Sequence, residues 1–320
     1  MDGPKDSKTL VFLDDEFCPC ASGKTVAACR CKSRNFVPPA VDVHPHGVIT
    51  GIRVKKCYAN PTFNCLPPLS ADHAIANAIN RDFAGTPIIR TLSDGSTRTV
   101  APSAAGRKVL CQRHNSALSP LDQVGRRFVG AMRSQIKHQI DNVPEDTHVL
   151  FNGFDVERWM LKVLCTVAYN KPVSRVYASR PWRVPKSWLG TLFSGDPLPN
   201  GAGVYTPRVA RGRFAEGIMT AAIVGGPPGT LPAIGSALLD ARDGARLLGI
   251  SFCIYGLDLD LFMERPRERS QYWYRPRMWR MRNGAGGIAH IHIGWDEYPP
   301  SFSAEACHVD RENVRDGFLR

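Results

Sequence analysis

The chain has 320 residues, 43% of them hydrophobic, with 41 basic against 29 acidic side chains and a formal charge of +12. That length and apolar fraction suit a soluble globular protein of one large or two smaller domains. No run of about 18 apolar residues exists to cross a membrane, and the most apolar stretch, residues 217–239, is broken by Gly225-Gly226-Pro227-Pro228-Gly229. The polar start runs through Leu10-Val11-Phe12-Leu13 straight into Asp14-Asp15-Glu16, without a secretory pattern. A cytoplasmic protein with no membrane partner is therefore expected. The positive charge makes nucleic acid the first partner to consider. Ten cysteines in a reducing compartment point to metal rather than disulfides.

In chain order, residues 10–13 suit a short strand. Cys18, Cys20, Cys29 and Cys31 then follow as C-x-C-x8-C-x-C, with a Gly-bearing turn between the two arms. Four thiolates satisfy tetrahedral zinc, and so short a peptide needs the ion for its folding energy. Cys18-Pro19-Cys20-Ala21-Ser22-Gly23-Lys24 with Cys29 resembles the SEC-C motif. That resemblance implies a docking module for protein or nucleic acid, with a protein partner reached through this knuckle. Arg30 stands where the family usually has its fourth ligand, and Cys31 comes one residue later.

Residues 33–56 carry Pro38-Pro39 and His44-Pro45-His46 and read as a connector, with residues 47–54 alternating as a strand. Cys57 and Cys65 follow, then Asp72-His73, then Leu110-Cys111-Gln112-Arg113-His114-Asn115. Cys57, Cys65, Cys111 and His114 make a plausible zinc set of three thiolates and one imidazole. Ser119 and Pro120 open a helix in which Leu121, Val124, Phe128, Met132, Ile136 and Ile140 share one face. Arg126, Arg127 and Arg133 form a basic flank beside that face.

Cysteines, Asp-His, hairpin, Cys-x-x-His-Asn and helix come in the order of the ββα-metal, or HNH, endonucleases, and this unit resembles the endonuclease VII type. The resemblance implies that Asp72 and Asn115 hold a catalytic Mg²⁺ or Mn²⁺, that His73 is the general base for water, and that the zinc is structural. Hard oxygen ligands suit such an ion, which stabilises charge on the phosphorane. An imidazole near its ordinary pKa of about 6.5 can accept a proton from water. Read without the resemblance, Ser70 can instead cap a helix with Asp72 in its first turn and Ile75, Ile79 and Phe83 on one face. Residues 81–108 are an insert between the two halves of this site.

Beyond a linker at 141–146, Asn152 starts a helix with Val156, Trp159, Met160, Val163, Leu164 and Val167 on one face. Its Glu157, Arg158 and Lys162 read as solvated or paired. Residues 170–216 are loop-rich. Strands are expected at 218–224 and 248–255, with Leu and Asp alternating from 257. The basic-aromatic stretch 265–282 includes Trp273, Arg275, Arg277 and Trp279. There Arg can neutralise phosphate while aromatic rings stack on bases, or the rings pack inward. Residues 288–295 read as a strand with His290 and His292 on one face, either a paired-His metal site or merely hydrogen-bonded residues. The tail from 304 reads as a surface helix.

The expected fold is thus α+β in three parts: a zinc knuckle over 1–35, a ββα-metal (treble-clef) unit over 36–143, and a mixed α/β C-terminal domain over 144–320. The expected function is a zinc-stabilised endonuclease. The alternative is a non-catalytic zinc protein that docks to nucleic acid or a protein partner.

Overall fold

The computed structural model of the chain describes residues 18, 24–29, 40–45, 47–73, 79, 88–91, 97–100, 106–169, 182–199, 201–207, 220–224, 234–240, 247–254, 257–267, 272–276, 278–295 and 306–308. It is a mixed α+β protein. Strand β1 (Leu69–His73) pairs antiparallel with β4 (Gly106–Cys111), Leu69 opposite Cys111 and Asp72 opposite Arg107. A bulge between Ser70 and Asp72 shifts the register. The pair runs into a short helix, α1 (Gln112–Ala117), and then a long one, α2 (Ser119–Ile140).

The insert between β1 and β4 contributes β2 (Ile88–Thr91) and β3 (Thr97–Val100). These join the end of an eight-stranded antiparallel sheet whose other members come from later in the chain: β6 (Gly203–Pro207), β7 (Thr220–Val224), β8 (Ile234–Asp240), β9 (Leu247–Ile254), β10 (Leu257–Phe262) and β11 (Tyr272–Tyr274). Its order is β11-β6-β10-β9-β8-β7-β2-β3. A second sheet has the order β14-β12-β13-β5 and is built from β5 (Thr147–Asn152), β12 (Met278–Arg282), β13 (Ile288–Gly294) and β14 (Ala306–His308).

Helix α3 (Gly153–Ala168) lies at the centre. Asn152 caps it by accepting the N–H groups of Phe154 and Asp155. Fifteen of its sixteen residues are buried, so its charged side chains need partners inside the protein. Arg158 donates to the carbonyls of Val41, Thr191 and Leu192 and pairs with Asp155. The first of these carbonyls belongs to the extended segment 40–45, the other two to α4 (Lys186–Ser194). Glu157 accepts the Val204 N–H of β6 and pairs with Arg275. Lys162 is fully buried between Asp72 of β1 and Asp122 of α2. At the other end, Arg107 of β4 donates to the terminal carbonyls of Thr166, Val167 and Tyr169, the favourable place for a cation on a helix. The charges on α3 are thus satisfied, Arg158 and Asp155 by each other and by neighbouring segments, Glu157 and Lys162 by charges on other elements.

The amphipathic reading of α2 holds as far as Met132: Leu121, Val124, Phe128 and Met132 are buried and Arg126 and Arg133 exposed, whereas Ile136 and Arg127 are half-buried and Ile140, at the end of the helix, is exposed. Its two glycines differ. A Cβ at Gly125 would overlap the Trp159 indole of α3, whereas one at Gly130 meets nothing. Gly125 is the notch into which Trp159, completely buried, fits.

Several expectations change. Residues 47–54 are irregular, with a bend at Gly47-Val48, instead of a strand. Gly47 and Gly51 take φ of 83° and 69°, which breaks a pleated ladder, and isolated bonds such as Cys65 N–H to the Ile52 carbonyl hold the segment down. Asp72 lies on a strand, not in the first turn of a helix. Strand β10 alternates Leu with Asp, yet Asp258 and Asp260 are both buried, and Asp260 accepts the Ser251 hydroxyl. The loop-rich stretch contains α4 and β6. Of the tail, residues 306–308 are strand β14 beside β12, and the remainder of the expected helix lies outside the described residues. One continuous core runs from Val43 to Trp295, across the boundary drawn at 143/144.

Candidate metal centre

Cys111 ends β4 and is the N-cap of α1, and His114 follows one turn in. The x2 spacing therefore puts the sulfur and the imidazole on the same side of the first helical turn. The other two ligands come from the loop before β1. A single 3-10 turn over Asn60–Thr62, closed by Phe63 at φ 56°, reverses the chain between Cys57 and Cys65. The long x7 interval is thus one compact turn. Tyr58 N–H donates to the Val109 carbonyl and Gln112 N–H to the Pro68 carbonyl, which straps that loop onto β4 and α1.

The four ligand atoms lie within 4.8 Å of one another. His114 Nδ1 is 3.7 Å from Cys57 Sγ, 3.8 Å from Cys65 Sγ and 3.1 Å from Cys111 Sγ. Bonds of about 2.3 Å to sulfur and 2.0–2.1 Å to nitrogen would place S and N about 3.6 Å apart around tetrahedral zinc, so the set closes with small adjustments. All four residues are buried, none above 1% exposed. The group can hold a zinc ion, and its closed surroundings leave no position for substrate, as in structural sites.

The tautomer of His114 follows from its neighbour. The Thr62 hydroxyl donates its one hydrogen to the Ala59 carbonyl at 2.8 Å and lies 2.9 Å from His114 Nε2. It must therefore accept from Nε2–H, which leaves the Nδ1 lone pair free to face the sulfurs. Phe193 of α4 packs edge-on against the same ring, 5.1 Å between centroids. The thiols are poised unequally. Hydrogen bonding from Cys57, then from the backbone N–H groups of His114 and Leu66, pulls Cys111 down to about 3. Its bond to Cys111 together with burial pushes Cys57 up, and burial pushes Cys65 up. Thiols ligate as thiolates, so metal binding releases their protons.

The expected catalytic residues have the following surroundings. Asp72 is buried in β1. One carboxylate oxygen pairs with Lys162 Nζ at 3.0 Å, and the other accepts the Thr166 hydroxyl. Asn115 donates its amide to the Ser70 hydroxyl at 2.7 Å. His73 ends β1 opposite Gly106, and its side chain lies outside the described residues. Of the first knuckle, Cys18 is buried and Cys29 half-buried. Cys18 N–H donates to the Lys24 carbonyl, while Cys20 and Cys31 lie outside the described residues.

The basic-aromatic stretch splits. Trp279 is completely buried in the core, so it presents no face to a base. The Arg275 guanidinium pairs with Glu157 at 3.1 Å and stands over the rings of Phe154 and Trp295, anchoring its loop to α3. Trp273 is described only through its backbone, paired with Thr206, and Arg277 lies outside the described residues.

Two features had no signal in the sequence. Thr62 is hidden inside the x7 interval. His148 of β5 stands directly opposite His290 of β13, 142 positions away in the chain. Comparison of the chain with protein-family models, curated proteins and solved structures finds no match.

Proposed function

We propose that Cys57, Cys65, Cys111 and His114 hold a structural zinc, and that the corner it fixes is a docking face for single-stranded nucleic acid. One observation carries the reading: residues 43–71 contain no acidic side chain, and five of the six exposed large hydrophobics among the described residues fall there. Val48, Ile49, Ile52, Phe63 and Leu66 are exposed there, beside exposed Arg53, Lys55 and Lys56. The Arg53 guanidinium stands 3.7 Å over the Phe63 ring, and Arg113 of α1 holds the carbonyls of Gly47 and Val48. Cations that neutralise phosphate next to a ring that stacks on a base are the elements of single-strand recognition.

Docking is favoured over cleavage at Asp72, His73 and Asn115. Both carboxylate oxygens of Asp72 are engaged by Lys162 and Thr166, so a catalytic ion there would have to displace a buried ammonium.

The test is binding of the full chain to a fluorescent single-stranded oligonucleotide across a salt series. Lys55→Glu/Lys56→Glu should reduce the salt slope by roughly 1.4, about 0.7 per lost phosphate contact. Phe63→Ala should weaken binding by about 1–3 kcal/mol. Binding unaffected by these changes, or no salt-sensitive binding, refutes the docking face. A nicking assay in Mg²⁺ or Mn²⁺ separates the two readings. Cleavage that disappears in His73→Ala would restore the endonuclease.

A further inference from the structure

Strand β13 presents His290 and His292 two residues apart, hence on one face of the second sheet. Its parallel neighbour β5 brings His148 into register with His290. Three imidazoles therefore gather on one face. His148 Nδ1 and His292 Nε2 are 3.1 Å apart, and one nitrogen from each ring lies within 4.8 Å of the others. The opposite face of these strands is apolar: Phe151 packs against Phe128 of α2, and Ile291 and Ile293 are buried. The histidines stand apart from that core.

We propose that His148, His290 and His292 form a second metal centre, a three-histidine site for a divalent transition-metal ion with its fourth position open to solvent. Neutral imidazoles suit ions of the zinc, cobalt, nickel and copper row, and three protein ligands plus water are the arrangement of an open site. Zinc–nitrogen bonds of about 2.0–2.1 Å separate tetrahedral ligands by about 3.4 Å, so the three rings, stacked within 20° of parallel, turn out of that stack to point one nitrogen each at the ion. The way in runs beside β5, the edge strand of the sheet, where His148 is only half-buried. Asp146 lies there, its side chain 51% exposed and its carboxylate 3.7 Å from His290 Nε2. Its other oxygen accepts the Ile288 N–H at 2.8 Å. This centre differs from the cysteine centre in ligand type and in access.

Cobalt distinguishes the two. The full chain, freed of metal and reloaded with Co²⁺, should bind an equivalent whose visible d–d absorption has no thiolate-to-cobalt charge transfer, besides the equivalents bound by cysteine. His148→Asn, at a half-buried position, should lose that equivalent and keep the thiolate charge-transfer band, whose survival also reports a folded cysteine centre. Absence of a thiolate-free equivalent in the wild-type chain overturns the proposal and leaves a hydrogen-bonded stack of histidines. So does an equivalent that His148→Asn and His292→Gln both retain.

Discussion

The cysteine corner and helix α3 both take groups into the interior that water would otherwise hold, and they satisfy them by different means. In the corner three thiols and one imidazole converge, all buried, and a metal can neutralise them together. In α3 a buried Lys162 is held between Asp72 and Asp122, and Glu157 and Arg158 find partners on other elements. A structural zinc contributes folding free energy outright. A buried ion pair adds little net stability, because desolvation offsets its attraction, but removing one partner is expensive. The metal should therefore hold a segment that cannot fold without it, while the ion pairs fix which elements meet. Asp72 joins the two regions: it stands in the strand paired with β4, and its carboxylate reaches α3.

The largest predicted effect separates the two regions. Cys111→Ser, or chelation of the wild-type chain, should release the ion from the cysteine set and unfold the corner. Hydrogen exchange would show lost protection at residues 47–73 and 106–117, with α3 still protected. Equal protection with and without metal would mean that packing alone holds the corner.

Next comes Lys162→Met, expected to destabilise the fold by about 3–5 kcal/mol because it strands the Asp72 carboxylate in the interior; denaturant unfolding measures it. Its pH dependence has a definite sign. Burial alone would lower the pKa of Lys162, but Asp72 and Asp122 outweigh it and the net shift is upward. A group whose folded pKa is raised stabilises the protein fully below its unfolded value, about 10.4 for lysine, and loses that contribution as pH rises through the folded value. The gap between wild type and Lys162→Met should therefore be constant from pH 7 to about 10 and narrow only above that. A gap that closes below pH 9 would contradict the pairing.

The smallest effects test how tightly α3 is packed. Gly125→Ala should cost about 1–3 kcal/mol, since its methyl displaces Trp159. Gly130→Ala, in the same helix over open space, should gain up to about 1 kcal/mol. Thermal melts that shift in the same direction for both would show that Trp159 does not occupy the notch.

Local features were legible in the sequence. The apolar stripe of α2, the start of α3 at Asn152 and the Cys111–His114 spacing each depend on neighbours within a turn or two. Cys57 and Cys65 were legible as ligands, but not the way x7 closes, because a 3-10 turn and a left-handed Phe63 supply the reversal. The partners of α3 were not legible: Lys162 lies 90 positions from Asp72 and 40 from Asp122, and its buried charge depends on both being brought together. His148 is hidden for the same reason, being a register partner of His290 across a sheet. Trp279 misled because an Arg-aromatic run looks alike whether its rings face solvent or the core.

The most direct measurement is native mass spectrometry of the full chain, wild type against Cys111→Ser. Wild type should carry a zinc that Cys111→Ser lacks, and the variant should unfold at lower denaturant. Identical zinc content in the two proteins would show that Cys57, Cys65, Cys111 and His114 hold no metal.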